Sequence, residues 1–305
     1  MQQSLINLKG GVGKTSLTCA LADFLTFEYR KKILVIDLDP QTNATVVLMG
    51  EEKWKQERED KGLTLAHYFR KKIEAEAVLD PRTVLVRRTS NLSGGIDGLD
   101  ILPSSPFFWK IQDRIRDIPL RHYGTGVYVS VLEEIVNPLN SEYRYDYVLI
   151  DCPPSLGLLT QNGLYISNYY LIPCVPDWLS TYGIPQIMIT AHEFALAHHR
   201  QLDCLGIVFC RYRSGVRLHE QTIQRYRDRQ GMELGDLPNV RHPKVFQTAV
   251  KETVGAEQAT DPSAQPNTLK QKYGYGNLFN QYDNVTQEFL QAVEAYEQAR
   301  RGSIP

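Results

Sequence analysis

Residues Leu8–Thr15 read LKGGVGKT. A phosphate-binding loop follows the pattern G-x-x-x-x-G-K-[ST], and here Gly13, Lys14 and Thr15 fall in frame. The first glycine position holds Leu8 instead, and a second lysine, Lys9, follows it. Glycines at 10, 11 and 13 let the backbone wrap closely around phosphate, since they carry no Cβ and tolerate positive φ. The candidate cradle is therefore Gly10, Gly11, Val12, Gly13, Lys14, Thr15 and Ser16, at the N-terminus of a helix, where free amides favour anions. Lys14 supplies charge to the β- and γ-phosphates, and the Thr15 hydroxyl is placed to ligate Mg²⁺. The bland alternative, a glycine-rich turn with an incidental lysine, is disfavoured by a strand before the loop and a helix after it.

Outward from the loop, short β-branched runs alternate with longer amphipathic stretches. Strands are expected at Ser4–Leu8, in KILVIDLDP ending near Asp37, in TVLVRR, GLDILP, YDYVLIDCPP, YYLIPCVP and CLGIVFC, with a helix over Thr15–Phe27. That alternation predicts an α/β fold of the P-loop NTPase type: a doubly wound, mostly parallel sheet with helices on both faces. One domain is expected over residues 1–305, with a polar excursion near 255–280 and a last helix near 283–301.

A hydrophobic content of 42% in 305 residues supports a full core, and a net charge of −1 gives no global attraction to polyanions. Five scattered cysteines with no C-x-x-C pair read as reduced core thiols. The loop begins within eight residues of the start, and no apolar run reaches the ~20 residues of a transmembrane helix. A cytoplasmic protein without a membrane partner is expected.

Two further acidic positions belong with the loop. Asp151 ends an apolar strand, as the acid that holds the metal does in P-loop enzymes, and Pro153-Pro154 stops that strand. Asp37 and Asp39 end another strand; Asp39 is placed to orient the attacking water or a water on Mg²⁺. The candidate metal set is thus Thr15, Asp39 and Asp151.

In order along the chain, KGGVGKT, VIDLDPQTNAT, LDILPSS and YDYVLIDCPPSLGLLTQNGL match the deviant Walker A, A′ and Walker B regions of ParA-type partition ATPases. The chain resembles that family, of the ParA/MinD superfamily, over most of residues 4–254. The resemblance implies ATP and Mg²⁺ as cofactors and slow hydrolysis to ADP and phosphate. It implies a role for Lys9 as well: reaching across a homodimer to the nucleotide bound by the partner subunit. Lys9, Lys14 and Asp39 then form the catalytic set. It further implies non-specific binding of double-stranded DNA at the nucleoid, and release by a ParB-like or McdB-like adaptor. The cargo it implies is a plasmid, a chromosome or a protein organelle such as a carboxysome. With only seven residues before the loop, the short form without a DNA-reading module is expected. Adenine contacts are expected near Cys210–Arg211 and His242–Val245.

Seven arginines lie between Arg200 and Arg229, opposed by only Asp203, Glu220 and Asp228. Such a local excess grips phosphate by counterion release. The candidate DNA contacts are Arg200, Arg211, Arg213, Arg217, Arg225, Arg227 and Lys244. The bland alternative is a solvated basic helix over 216–230. Rival functions include a metabolic amide ligase like cobyrinate or dethiobiotin synthetase, which shares the fold. A MinD-like membrane-cycling regulator is another, but the last helix has acidic flanks that favour packing over insertion at lipid. An iron–sulfur ATPase needs a cysteine arrangement not seen here, and a tyrosine kinase a tyrosine-rich tail.

Overall fold

The computed structural model describes residues 1–118, 127–228 and 243–302. Six strands form one sheet in the order β3-β2-β4-β1-β5-β6. They are β1 (Gln2–Leu5), β2 (Ile33–Asp37), β3 (Leu99–Leu102), β4 (Tyr147–Asp151), β5 (Tyr169–Cys174) and β6 (Asp203–Phe209). Every pairing is parallel. Parallel sheets are covered on both faces, so β2, apolar up to Asp37 at its end, and β5 are buried along their whole length.

One face packs on α1 (Lys14–Phe27) and the long helix Asn277–Gly302, through Leu17, Leu21, Phe24, Val285, Phe289 and Val293. The other packs on the helices Leu65–Ile73, Val131–Tyr143, Leu158–Ile166 and Ile184–Ala197. The apolar stripe of the last helix is spent on the protein's own core, as its acidic flanks suggested. Among the described residues no helix is long and apolar enough to cross a membrane, and all five cysteines are buried and free.

Two expectations need correction. TVLVRR is not a strand: Pro81 sits at the first position of a helical turn, Pro81–Val84, capped by Asp80 accepting from the Arg82 amide. Within TVLVRR, Val86 forms an isolated antiparallel bridge to Ile101, and the Arg88 amide donates to Asp100 Oδ1 of β3. β1 ends at Leu5, earlier than expected, because the chain leaves the ladder to begin the loop. The 255–280 segment is mostly exposed but is anchored on the body of the protein. Leu269 and Tyr273 are buried, and Lys272 pairs with Asp23 of α1 at 2.5 Å with both side chains nearly inaccessible.

Register brings the chemistry together. Asp37 of β2 stands opposite Asp151 of β4, and Leu5 of β1 lies on the other side of Asp151. The loops leaving β1, β2 and β4 therefore meet at the carboxyl edge of the sheet, where open α/β sheets bind ligands.

Candidate nucleotide-binding site

The loop between β1 and α1 takes the shape its glycines permit. Gly11 has φ +71° and Gly13 φ +93°, the left-handed region that an L side chain enters at a cost. Gly13 also abuts Cys210: a Cβ there would lie 3.1 Å from the Cys210 Cβ. Lys14 is buried and donates to the carbonyls of Lys9 at 3.2 Å and Asn7 at 3.4 Å, so the loop closes around its own lysine. Burial lowers the Lys14 pKa, and Asp151 and Asp39 partly restore it.

Thr15 Oγ1 donates to Asp151 Oδ2 at 2.7 Å, and Thr18 Oγ1 to Asp151 Oδ1 at 3.3 Å. Burial pushes the Asp151 carboxyl up to about 6; the Asp39 charge adds to this, while Thr15, Lys14 and Thr18 oppose it. Asp37 is raised well above the carboxylate range, first by burial and then by Asp151, against two bonds from Thr45. Buried acids so crowded are short of positive charge. A hydroxyl and carboxylates at the mouth of a phosphate loop are hard oxygen donors that suit Mg²⁺. No group of three His, Cys, Asp or Glu among the described residues could cage a metal.

Asp37 also builds the segment after β2. It accepts the Asp39 amide at 3.0 Å and the Thr45 amide at 2.8 Å, tying Asp39 to the start of α2 (Asn43–Met49). Asp39 Oδ1 accepts the Gln41 amide at 2.9 Å, and its carbonyl accepts Ser104 Oγ at 2.7 Å. A cavity of about 630 Å³ opens over this edge, lined by Gly10, Lys14, Thr15, Asp39, Arg211 and Thr253 among others. That volume lies within the range of small-ligand pockets.

Lys9 points away from its own Lys14. Its Nζ donates to Ser180 Oγ at 3.0 Å and pairs with Asp177 Oδ2 at 3.3 Å, with 42% of the side chain exposed. Burial raises the Asp177 pKa, but the Ser180 amide and hydroxyl and Lys9 outweigh it, and the net shift is downward. Asp177 also caps the short helix Trp178–Tyr182.

The structure does not gather the candidate DNA residues into one patch. Arg200 precedes β6 and the others follow it. Seven residues of strand, at ~3.3 Å each, separate the two ends by roughly 20 Å. Arg200 is engaged by Glu133 at 2.8 Å and lies over the Tyr165 ring. Arg211 and Arg213 both pair with Glu252. Arg217 and Arg225 are exposed on the helix Arg217–Arg227, Arg225 beside the Trp178 ring, while Arg227 donates to the Gln247 carbonyl. Lys244 lies near Phe246; Arg229 and His242 fall outside the described residues. Of the expected adenine region, Cys210 and Arg211 do line the cavity, but Val245 bridges to Ile207 of β6, and the wall is formed by residues 250–253.

Several residues at the site escaped the sequence reading: Asn7, which accepts the Lys9 amide, Thr18, Thr45, Asp177, Ser180 and Glu252. Only the Asp177–Ser180 spacing, an N-cap signature, was visible in advance.

Comparison with known proteins agrees with this geometry. The model of an AAA domain family, AAA_31, matches residues 3–204. The virulence plasmid ParA family protein pGP5-D of Chlamydia psittaci is 32% identical over 203 residues, 67% of this chain and 66% of that one. The chain belongs to this AAA domain family, as a ParA-type partition ATPase. Among solved structures, apo McdA of Cyanothece superposes with a TM-score of 0.69 at 19% identity, covering 95% of this ParA-type chain and 98% of that one. Cobyrinic acid a,c-diamide synthase of Mycobacterium smegmatis, with bound ATP analogue and magnesium, gives 0.66 at 22% identity, covering 96% and 95%. At such identities these two likenesses speak for the fold alone.

Proposed function

We propose that this chain positions a cargo by an ATP cycle: ATP and Mg²⁺ join two copies into a sandwich, the dimer holds DNA without regard to sequence, and an adaptor releases it by stimulating hydrolysis. The observation that carries this reading is Lys9. It is the loop's second cation, it is not used by its own phosphate cradle, and it is half-exposed at the rim on an ion pair weak enough to surrender. A triphosphate presented by a second copy offers it a stronger, charge-assisted partner. In this reading Lys14 and the amides of Gly10–Ser16 hold the phosphates. Thr15 and Asp151 would hold the metal, which would supply positive charge beside the phosphates. Asp39 orients that water: its Oδ1 is spent on Gln41, and among the described contacts its Oδ2 accepts nothing. Of the basic residues, Arg217 and Arg225 remain the best-placed DNA contacts, being exposed and, among the described residues, paired with no carboxylate. Cytoplasmic, nucleoid-associated localisation follows from DNA binding.

Retention on surface-bound duplex DNA tests the reading. Wild type should be retained with ATP and released with ADP, and Lys9→Ala should not be retained with either. Retention without regard to nucleotide contradicts it. The likeness to the cobyrinic acid synthase keeps an amide-ligase reading in view, in which ATP turnover would need an added carboxylic acid and amine donor rather than DNA and an adaptor.

A further inference from the structure

Charge density alone placed Arg211 among DNA contacts, but the fold puts it elsewhere. It follows β6 directly, at the carboxyl edge of the sheet, and lines the nucleotide cavity. Its Nη1 donates to the carbonyl of Gly11, inside the phosphate loop, at 2.9 Å. Its Nε donates to Glu252 Oε1 at 3.0 Å, and Nη2 to the same oxygen. Glu252 belongs to the segment that runs alongside Arg211, where Tyr212 bridges to Lys251, so one guanidinium joins the phosphate loop to that neighbouring segment.

The backbone shows that this placement is held. Arg211 has φ +54°, the left-handed region, where a glycine would sit without strain. It is pinned on both sides: the Cys210 amide donates to the Cys174 carbonyl at 2.8 Å, and the Tyr212 amide to Val250 at 2.9 Å. An arginine kept at a position that suits glycine points to a use for its side chain. Of the five N–H bonds of a guanidinium, three are spent on Gly11 and Glu252. The others, on a side chain 47% exposed, remain beside a cavity built for a polyphosphate.

We propose that Arg211 is a nucleotide-binding clamp acting within its own subunit: it fixes the phosphate loop through Gly11 and gives its remaining N–H groups to the phosphate chain of the bound nucleotide, with Glu252 setting its position. The inference rests on the ATPase reading but not on the sandwich or on DNA. ADP tests it without a dimer. Equilibrium binding of fluorescent N-methylanthraniloyl ADP and ATP should weaken about ten-fold for both in Arg211→Ala. Arg211→Lys, which keeps the charge and loses the fork, should fall between; Glu252→Gln should lose less than Arg211→Ala. KM for ATP should rise in step with these losses. Wild-type affinity for both nucleotides in Arg211→Ala overturns the clamp, as does a loss confined to DNA retention. Should Arg211→Ala not fold, the graded losses in Arg211→Lys and Glu252→Gln decide instead, and wild-type affinity in both overturns it. If Lys14→Ala abolishes binding while these variants do not, the clamp alone has failed and the ATP site stands.

Discussion

Asp177→Asn should tighten the ATP-bound dimer. In the free subunit Lys9 is held by Asp177 and Ser180, and an interface that uses Lys9 must first break that hold. The pair is partly exposed, 42% and 29% for the two side chains, which places it with surface ion pairs of about 0.2–1 kcal/mol. Two subunits each release one, so removing the charge favours association by about 0.4–2 kcal/mol, or about 2- to 30-fold in the dimer dissociation constant. Asparagine is the right replacement because Asp177 also caps the helix Trp178–Tyr182 by accepting the Ser180 amide at 2.7 Å, and asparagine caps as well as aspartate. The melting temperature should therefore barely move. Sedimentation velocity with a non-cleavable ATP analogue, over a concentration series, measures the constant. A dimer equally strong or weaker in Asp177→Asn, with the fold intact, refutes the reasoning.

Three other outcomes are expected. Asp39→Ala should bind ATP with near wild-type affinity yet lose most hydrolysis, at least ten-fold in a phosphate-release assay; normal turnover removes Asp39 from water activation. The Asp151 carboxyl sits near 6 when folded against 3.8 as a free side chain, so the folded state holds a proton that the unfolded state has released. The contribution of this group to the stability of the nucleotide-free protein should thus be full below pH ~4 and fall as pH rises to ~6, by on the order of 3 kcal/mol. Asp151→Asn should flatten that slope in urea titrations at several pH values, and an unchanged slope assigns it elsewhere. Charge reversal at Arg217 and Arg225 should weaken DNA retention and its salt dependence, whereas reversal at Arg200 should not, since Arg200 is engaged by Glu133 at the far end of β6; equal effects would restore a single basic patch.

What could be read in advance was what is local in sequence. Gly13, Lys14 and Thr15 declare a phosphate loop because their spacing is the loop's own geometry, and Asp39 and Asp151 follow strands whose apolar runs are plain. Parallel order was legible because buried strands alternate with helices. Partners far apart along the chain were not. Asp177 meets Lys9 across 168 residues, and no pattern near either one announces the other. Arg211 was read both as a DNA contact, from charge density, and as part of the adenine region, from the resemblance; neither reading reached its carboxylate, Glu252, which stands 41 residues on. TVLVRR failed for a local reason: its β-branched residues favour a strand, but Asp80-Pro81 before them starts a helical turn. The 255–280 segment looks polar because the apolar positions that anchor it, Leu269 and Tyr273, are few and its buried lysine is neutralised by Asp23.

The account stands or falls on whether Lys9 links two subunits through bound triphosphate. Sedimentation velocity of the wild type and Lys9→Ala, each with ADP and with a non-cleavable ATP analogue, measures this directly. Wild type should be a dimer with the analogue and a monomer with ADP, while Lys9→Ala should bind the analogue and remain a monomer. A wild type whose mass ignores the nucleotide, or a Lys9→Ala variant that dimerises as wild type does, contradicts it.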